Sequence, residues 1–187
     1  DCIICINKID LAPKESKDLA EIYQEAGFPV ILSSSINGDG TEELKNCLKG
    51  KVTAFAGNSG VGKSSILNSL AEGAHLETGR VSEKIKRGRH TTRHVELFSL
   101  PEGGFVFDTP GFSSFEVQGL KAAELEQYFP EFKPYLGMCR FTGCAHIKEP
   151  DCPVKTALAE GKINASRYES YCELYESLKQ VKEWMKS

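Results

Sequence analysis

One octapeptide constrains the fold of this chain more than any other stretch. Gly57-Asn58-Ser59-Gly60-Val61-Gly62-Lys63-Ser64 matches G-x-x-x-x-G-K-[ST]. An apolar run at 52–56 precedes it and a helical pattern at 63–71 follows, the strand–loop–helix setting in which such a loop works. Its glycines let backbone N–H groups curl around phosphate oxygens, and the helix N-terminus adds its positive dipole end. Lys63 is placed to bridge β- and γ-phosphates and Ser64 to hold Mg²⁺; Ser65 extends the expected nucleotide contacts by one residue. A chain built around this loop is committed to a parallel sheet covered by helices.

Two more motifs narrow the ligand. Asn7-Lys8-Ile9-Asp10 is an N-K-x-D, and Asp108-Thr109-Pro110-Gly111 is a D-x-x-G that ends an apolar strand. The Asp10 carboxylate can accept two hydrogen bonds from guanine N1 and N2, which adenine cannot offer. A site built around such an acceptor leaves it unpaired with the wrong base. Asn7 can reach the base and tie loops together, while the Lys8 stem packs over the ring. Ser34-Ser35-Ile36 follows the next strand, where GTPases place S-A-K to support the base; Ile36 departs from that pattern. Asp108 is expected to reach Mg²⁺ through water, and the Gly111 N–H to sense the γ-phosphate. Ordinary GTPases run P-loop, D-x-x-G, N-K-x-D. Here N-K-x-D comes first, and the same parts in rotated order predict a circularly permuted GTPase.

Phe112 stands where many GTPases carry the glutamine that orients the attacking water. Phenylalanine cannot do so, and the nearest replacement is His90 in Gly88-Arg89-His90-Thr91-Thr92. Thr91 or Thr92 in that segment is the expected Mg²⁺ and γ-phosphate ligand, and with Thr92 the magnesium set is Ser64, Thr92 and Asp108. The catalytic candidates are therefore His90, Lys63 and Thr92. His90 also reads as an exposed histidine in a basic loop, which holds Lys84, Lys86, Arg87, Arg89, Arg93 and His94.

Alternation of strands and helices fills the first two thirds: strands at 2–6, 30–33, 52–56, 95–100 and 105–107, helices at 14–26, 41–48 and 63–71. Thr41 is the expected cap of its helix. A sheet of this kind has a further strand between those of the P-loop and N-K-x-D. In the permuted order it precedes residue 1, so Asp1 is not expected to be the native start. Beyond Phe112 the pattern changes. A helix is predicted at 122–128, and at 167–185 a long amphipathic one whose stripe runs through Tyr168, Tyr171, Tyr175, Leu178, Val181 and Met185. Between them Cys139-x₄-Cys144-x-His146-x₅-Cys152 offers three thiolates and an imidazole, the closed ligand set of a structural Zn²⁺ site. The region reads as polar and short of core residues, so that metal binding supplies folding energy that burial cannot. Cys2, Cys5, Cys47 and Cys172 are scattered and read as small buried hydrophobes, and an odd total of 7 argues against a disulfide framework.

The fold class expected is thus α/β, a circularly permuted P-loop GTPase sheet with helices on both faces. A small, mainly α-helical zinc-binding domain completes it, with 1–114 and 115–187 as the two domains. No apolar run approaches the ~20 residues of a membrane span and no signal peptide is evident, so the expected location is the cytoplasm. The net charge of −3 means that any RNA contact must come from local patches.

The order N-K-I-D, G-N-S-G-V-G-K-S, G-R-H-T-T, D-T-P-G-F, then C-x₄-C-x-H-x₅-C, resembles the YjeQ/RsgA family of ribosome small subunit-dependent GTPases over essentially the whole chain. The resemblance implies a GTPase acting in late maturation of the small ribosomal subunit and stimulated by that particle. Its partners would be GTP/GDP and the subunit with its rRNA, with no membrane, and the chain would be a monomer. It also implies an OB-fold domain ahead of Asp1. Two other readings stay open: a P-loop NTPase of other base specificity, and a zinc-dependent RNA-binding module in which GTP hydrolysis is only a switch.

Overall fold

The G-x-x-x-x-G-K-S loop and the N-K-I-D segment lie in one unit, taking in Asp1–Ala20 and Val30–Phe115; a second comprises Glu21–Pro29 and Glu116–Ser187. The structure is a computed structural model that describes residues 1–71, 97–108 and 119–184, without the side chains of 108 and 181–184.

In the first unit, β1 (Ile4–Ile6) runs parallel to β2 (Val30–Leu32); between them in sequence lies α1 (Pro13–Glu25), whose residues from Glu21 onward belong to the second unit. After α2 (Thr41–Leu48), β3 (Val52–Phe55) leads through the P-loop into α3 (Lys63–Leu70). β4 (Leu97–Ser99) and β5 (Phe105–Asp108) form a hairpin, and β5 lies parallel to β3, giving the order β3-β5-β4. Among the described residues no ladder joins this sheet to β1-β2. The two sheets nonetheless share a core: Ile31 of β2 packs in one cluster with Leu44 and Leu48 of α2, Ile66, Leu67 and Leu70 of α3, and Val106 of β5. Leu67 and Val106 are wholly buried, each worth about 1.5–3 kcal/mol. These side chains seat α3 so that its N-terminus stays beside β3.

The α/β reading and the positions of β1, β2, β3, β5 and α1 to α3 match the sequence expectations to within a few residues. Thr41 is not a cap: it is the first helical residue, and the cap position is Gly40 with no side-chain bond. Gly40 has φ 72°, and a Cβ there would collide with the Leu32 carbonyl, so the chain turns into α2 at a point only glycine fits. Cys2, ahead of β1, is exposed and Cys5, Cys47 and Cys172 are half-buried, so none of the four is the buried residue expected; all seven cysteines are free.

The second unit carries α4 (Pro153–Ala159) and α5 (Ala165–Trp184). Ala122–Tyr128, expected as an ordinary helix, is a 3-10 helix, and a second 3-10 helix follows at Pro130–Tyr135. Pro130 and Pro134 remove backbone donors there, which keeps the pieces short. Contrary to the expectation of a core-poor region, Phe129, Phe132, Val154, Ile163 and Tyr171 are buried together. The Phe132 and Tyr171 rings lie 4.8 Å apart, and Phe129 meets Tyr171 edge-on at 5.2 Å. Tyr171 and Leu178 of the α5 stripe are in this core, with Tyr168 and Tyr175 packed against it. No helix among the described residues is long and apolar enough to cross a membrane.

Candidate functional site

The N-K-I-D end of the first unit is assembled from three loops, and Asn7 is their hub. β1 ends at Ile6, so Asn7 emerges where β1 and β2 finish side by side. Its Nδ2 donates to the Val61 carbonyl of the P-loop at 3.0 Å. Its Oδ1 accepts from Ser33 Oγ at 3.3 Å, Ser35 N at 3.3 Å and Ser35 Oγ at 3.1 Å. Lys8, at φ 66°, turns the chain back and donates from Nζ to the Gly60 carbonyl at 2.6 Å. Its stem therefore lies along the P-loop. Asp10 is fixed by the wholly buried Ser34, whose hydroxyl donates to Oδ1 at 2.5 Å. The other Asp10 oxygen has no protein partner among the described residues. N-K-I-D, Ser33-Ser34-Ser35 and the P-loop thus form a single cluster. Ser33 is the member that sequence reading passed over. Ile36, at 83% exposed, makes no polar contact with it.

In the P-loop, Lys63 Nζ donates to the carbonyls of Gly57 at 2.6 Å and Asn58 at 3.0 Å, so the ammonium sits over the loop's own hollow. Gly62 caps α3 at φ 97°, and a Cβ there would collide with Asn7 Nδ2. That glycine is needed both for its left-handed backbone and for the close approach of Asn7. Ser64 and Ser65 follow in the first turn of α3, partly buried; Ser59 lies exposed at the loop tip. Asp108 ends β5 in register with Phe55 of β3, at the same end of the sheet as the P-loop. His90, Thr92, Gly111 and Phe112 lie outside the described residues, as does the basic loop.

In the second unit, Cys139, Cys144, His146 and Cys152 converge, with all ligand atoms within 4.8 Å of one another. Cys152 Sγ lies 3.9 Å from both other sulfurs, and His146 Nδ1 is 3.5 Å from Cys139 Sγ and 3.3 Å from Cys152 Sγ. Zn–S bonds of about 2.3 Å and Zn–N bonds of about 2.0–2.1 Å at tetrahedral angles imply edges near 3.8 and 3.5 Å. The four residues fit that ion. Burial, then hydrogen bonding to the neighbouring thiols, pushes the Cys139 thiol up to about 12, and burial raises Cys144. Cys152 is also raised by burial, but N–H groups of Lys155 and Val154 at the start of α4, with the His146 ring, bring it below the usual thiol value.

The turn that carries these ligands is pinned from outside. Glu149 accepts backbone N–H bonds from Ala145, Ile147 and Lys148 at 3.0–3.1 Å. Tyr168 and Tyr171 of α5 donate to the carbonyls of His146 and Ala145. Glu126 Oε2 lies 2.6 Å from His146 Nε2. Sequence spacing holds no signal for Glu126, twenty positions from its partner. For the tyrosines, the same residues that form the apolar stripe of α5 supply the hydroxyls.

A family model described as RsgA GTPase matches residues 1–118. The chain belongs to the RsgA GTPase family. It is 50% identical over 182 residues to the small ribosomal subunit biogenesis GTPase RsgA of Ruminiclostridium cellulolyticum, covering 97% of this chain and 60% of that protein. The corresponding protein of Agathobacter rectalis is 50% identical over 177 residues, with 94% and 59% covered. Crystallographic YjeQ from Thermotoga maritima superposes with a TM-score of 0.78 at 39% identity, over 94% of this chain and 59% of that one. YloQ, described as a circularly permuted GTPase, gives 0.73 at 36% identity, over 96% and 57%. The chain therefore spans about 60% of the length of the relatives it matches. The chain thus has a mixed α/β P-loop GTPase fold, and its helical second unit bears a Cys₃His cluster.

Proposed function

We propose that this chain binds GTP and GDP with Mg²⁺, hydrolyses GTP, and acts in late maturation of the small ribosomal subunit, whose rRNA it contacts and which stimulates its turnover. Asn7 carries the reading. One side chain ties N-K-I-D, the serines after β2 and the P-loop into a single cluster, which a chance N-K-x-D turn would not do. Asp10, with one oxygen held by Ser34, presents the acceptor for guanine N1 and N2. Backbone N–H groups from Gly57 to Ser65 receive the phosphates, and Lys63 lies where its charge can move from loop carbonyls to phosphate oxygens. Ser64, Thr92 and Asp108 would hold Mg²⁺, which supplies neutralisation of phosphate charge. His90 takes the water-orienting role that Phe112 cannot fill.

In the same reading, residues 1–114 are the nucleotide-binding domain and 115–187 the zinc-binding domain. Cys139, Cys144, His146 and Cys152 hold one structural Zn²⁺, and the protein works as a cytoplasmic monomer. Displacement of a fluorescent GDP analogue tests the base assignment. GTP should displace it far better than ATP, and Asp10→Asn should weaken GTP while gaining relatively for xanthine nucleotides, whose base offers the complementary pattern. ATP competing as well as GTP would refute the assignment.

A further inference from the structure

Nothing in the ligand set explains why His146 presents Nδ1, and not Nε2, to the thiols. The ring is 2% exposed and clamped by its surroundings. Phe132 meets it edge-on at 6.1 Å, and Tyr168 holds the His146 carbonyl at 2.7 Å. A neutral imidazole carries one proton, and the nitrogen that keeps it cannot bind a metal. Glu126 decides which: its Oε2, 2.6 Å from Nε2, is an acceptor-only group when ionised, so the proton stays on Nε2 and the Nδ1 lone pair faces the three sulfurs.

We infer that Glu126 is a positioning residue of the metal site, fixing the His146 tautomer and ring angle so that Nδ1 faces a bound divalent cation. The inference rests on the zinc reading above and adds to it a fifth residue from a different element, the 3-10 helix Ala122–Tyr128. That helix is not otherwise tied to the ligand turn by a side-chain bond among the described residues. Glu126 also lines a cleft of about 290 Å³ that reaches Cys139, Cys144 and His146. Water can therefore enter when the side chain is shortened, and it would partly replace the acceptor. The loss from Glu126→Ala is thus one of metal affinity and not of the fold.

The test is competition for Zn²⁺ against a chromophoric chelator, on the purified chain and without any activity assay. Glu126→Ala is expected to weaken zinc binding by roughly 10- to 100-fold, the range found for outer-sphere partners. Glu126→Gln, whose amide oxygen still accepts from Nε2–H, should fall between that variant and the parent. Glu124→Gln is the control for the helix itself, because among the described residues Glu124 bonds only Lys121 at the helix start; its zinc affinity should equal the parent's. Co²⁺ substitution gives a second readout, with the ligand-field bands of Glu126→Ala shifted and those of Glu124→Gln unchanged. Glu126→Ala and Glu126→Gln both holding zinc as tightly as the parent would overturn the inference while leaving the zinc site standing. So would Glu124→Gln losing as much as Glu126→Ala, since the helix and not the carboxylate would then matter. A parent that binds no zinc overturns the site and the inference together.

Discussion

Asn7→Ala should uncouple the nucleotide loops without unfolding the sheet. The side chain makes four hydrogen bonds, one donated to Val61 and three accepted from Ser33 and Ser35. Only the bonds at 3.0 and 3.1 Å are short enough to count fully, and the site is half open to water. At about 0.5–1 kcal/mol for each of those two, the loss is roughly 1–2 kcal/mol, or about 5- to 30-fold in nucleotide affinity. The β1–β2 pair is unaffected, because Ser33 N still donates to the Ile6 carbonyl at 2.8 Å and Ile9 N to the Ser33 carbonyl at 3.2 Å. Titration with a fluorescent GDP analogue reads the first quantity, and thermal unfolding of the nucleotide-free protein reads the second. Asn7→Asp separates the two arms: the carboxylate can still accept from the serines but faces the Val61 carbonyl with no proton to donate. It should therefore lose the P-loop tie alone. Parent-like GDP affinity in Asn7→Ala would refute the hub, and equal losses of affinity and stability would show that Asn7 merely holds the fold.

Cys144→Ser should reduce bound zinc from about one per chain to near none by elemental analysis, while GDP still binds, because the two sites are built on separate elements. Arg167 and Glu131 form an ion pair at 2.7 Å with side chains only 14% and 6% exposed; Arg167→Met strands the carboxylate, whose Oε2 has no hydrogen-bond partner among the described residues, and should cost about 3 kcal/mol in urea denaturation. His90→Ala should slow subunit-stimulated GTP turnover by roughly 100-fold or more with nucleotide affinity nearly unchanged, measured with small subunits present.

Fold and site were legible to different depths, for physical reasons visible at single residues. The P-loop, N-K-I-D and the Cys₃His set are local strings whose chemistry is fixed by residue type and spacing. Strands and the first three helices announced themselves by the alternation of short apolar runs with helical patterns. What failed was what depends on contacts distant in sequence. Thr41 looked like a cap because nothing local says that Gly40 presses against Leu32. The aromatic core of the second unit was missed because Phe129 and Phe132 lie in short segments without periodicity and meet Tyr171 of the α5 stripe only in the fold. α4 was missed although Pro153 after Cys152 is the usual opening of a helix. Glu126 could not be found at all, since its role exists only once the 3-10 helix lies beside His146.

Phosphate release from GTP, with purified small ribosomal subunits added or withheld, tests the central claim most directly. The account predicts GTP turnover that rises when subunits are added, no comparable turnover of ATP, and loss of the reaction in Lys63→Ala. ATP hydrolysed as readily as GTP, a GTP rate that subunits leave unmoved, or an active Lys63→Ala protein would contradict it.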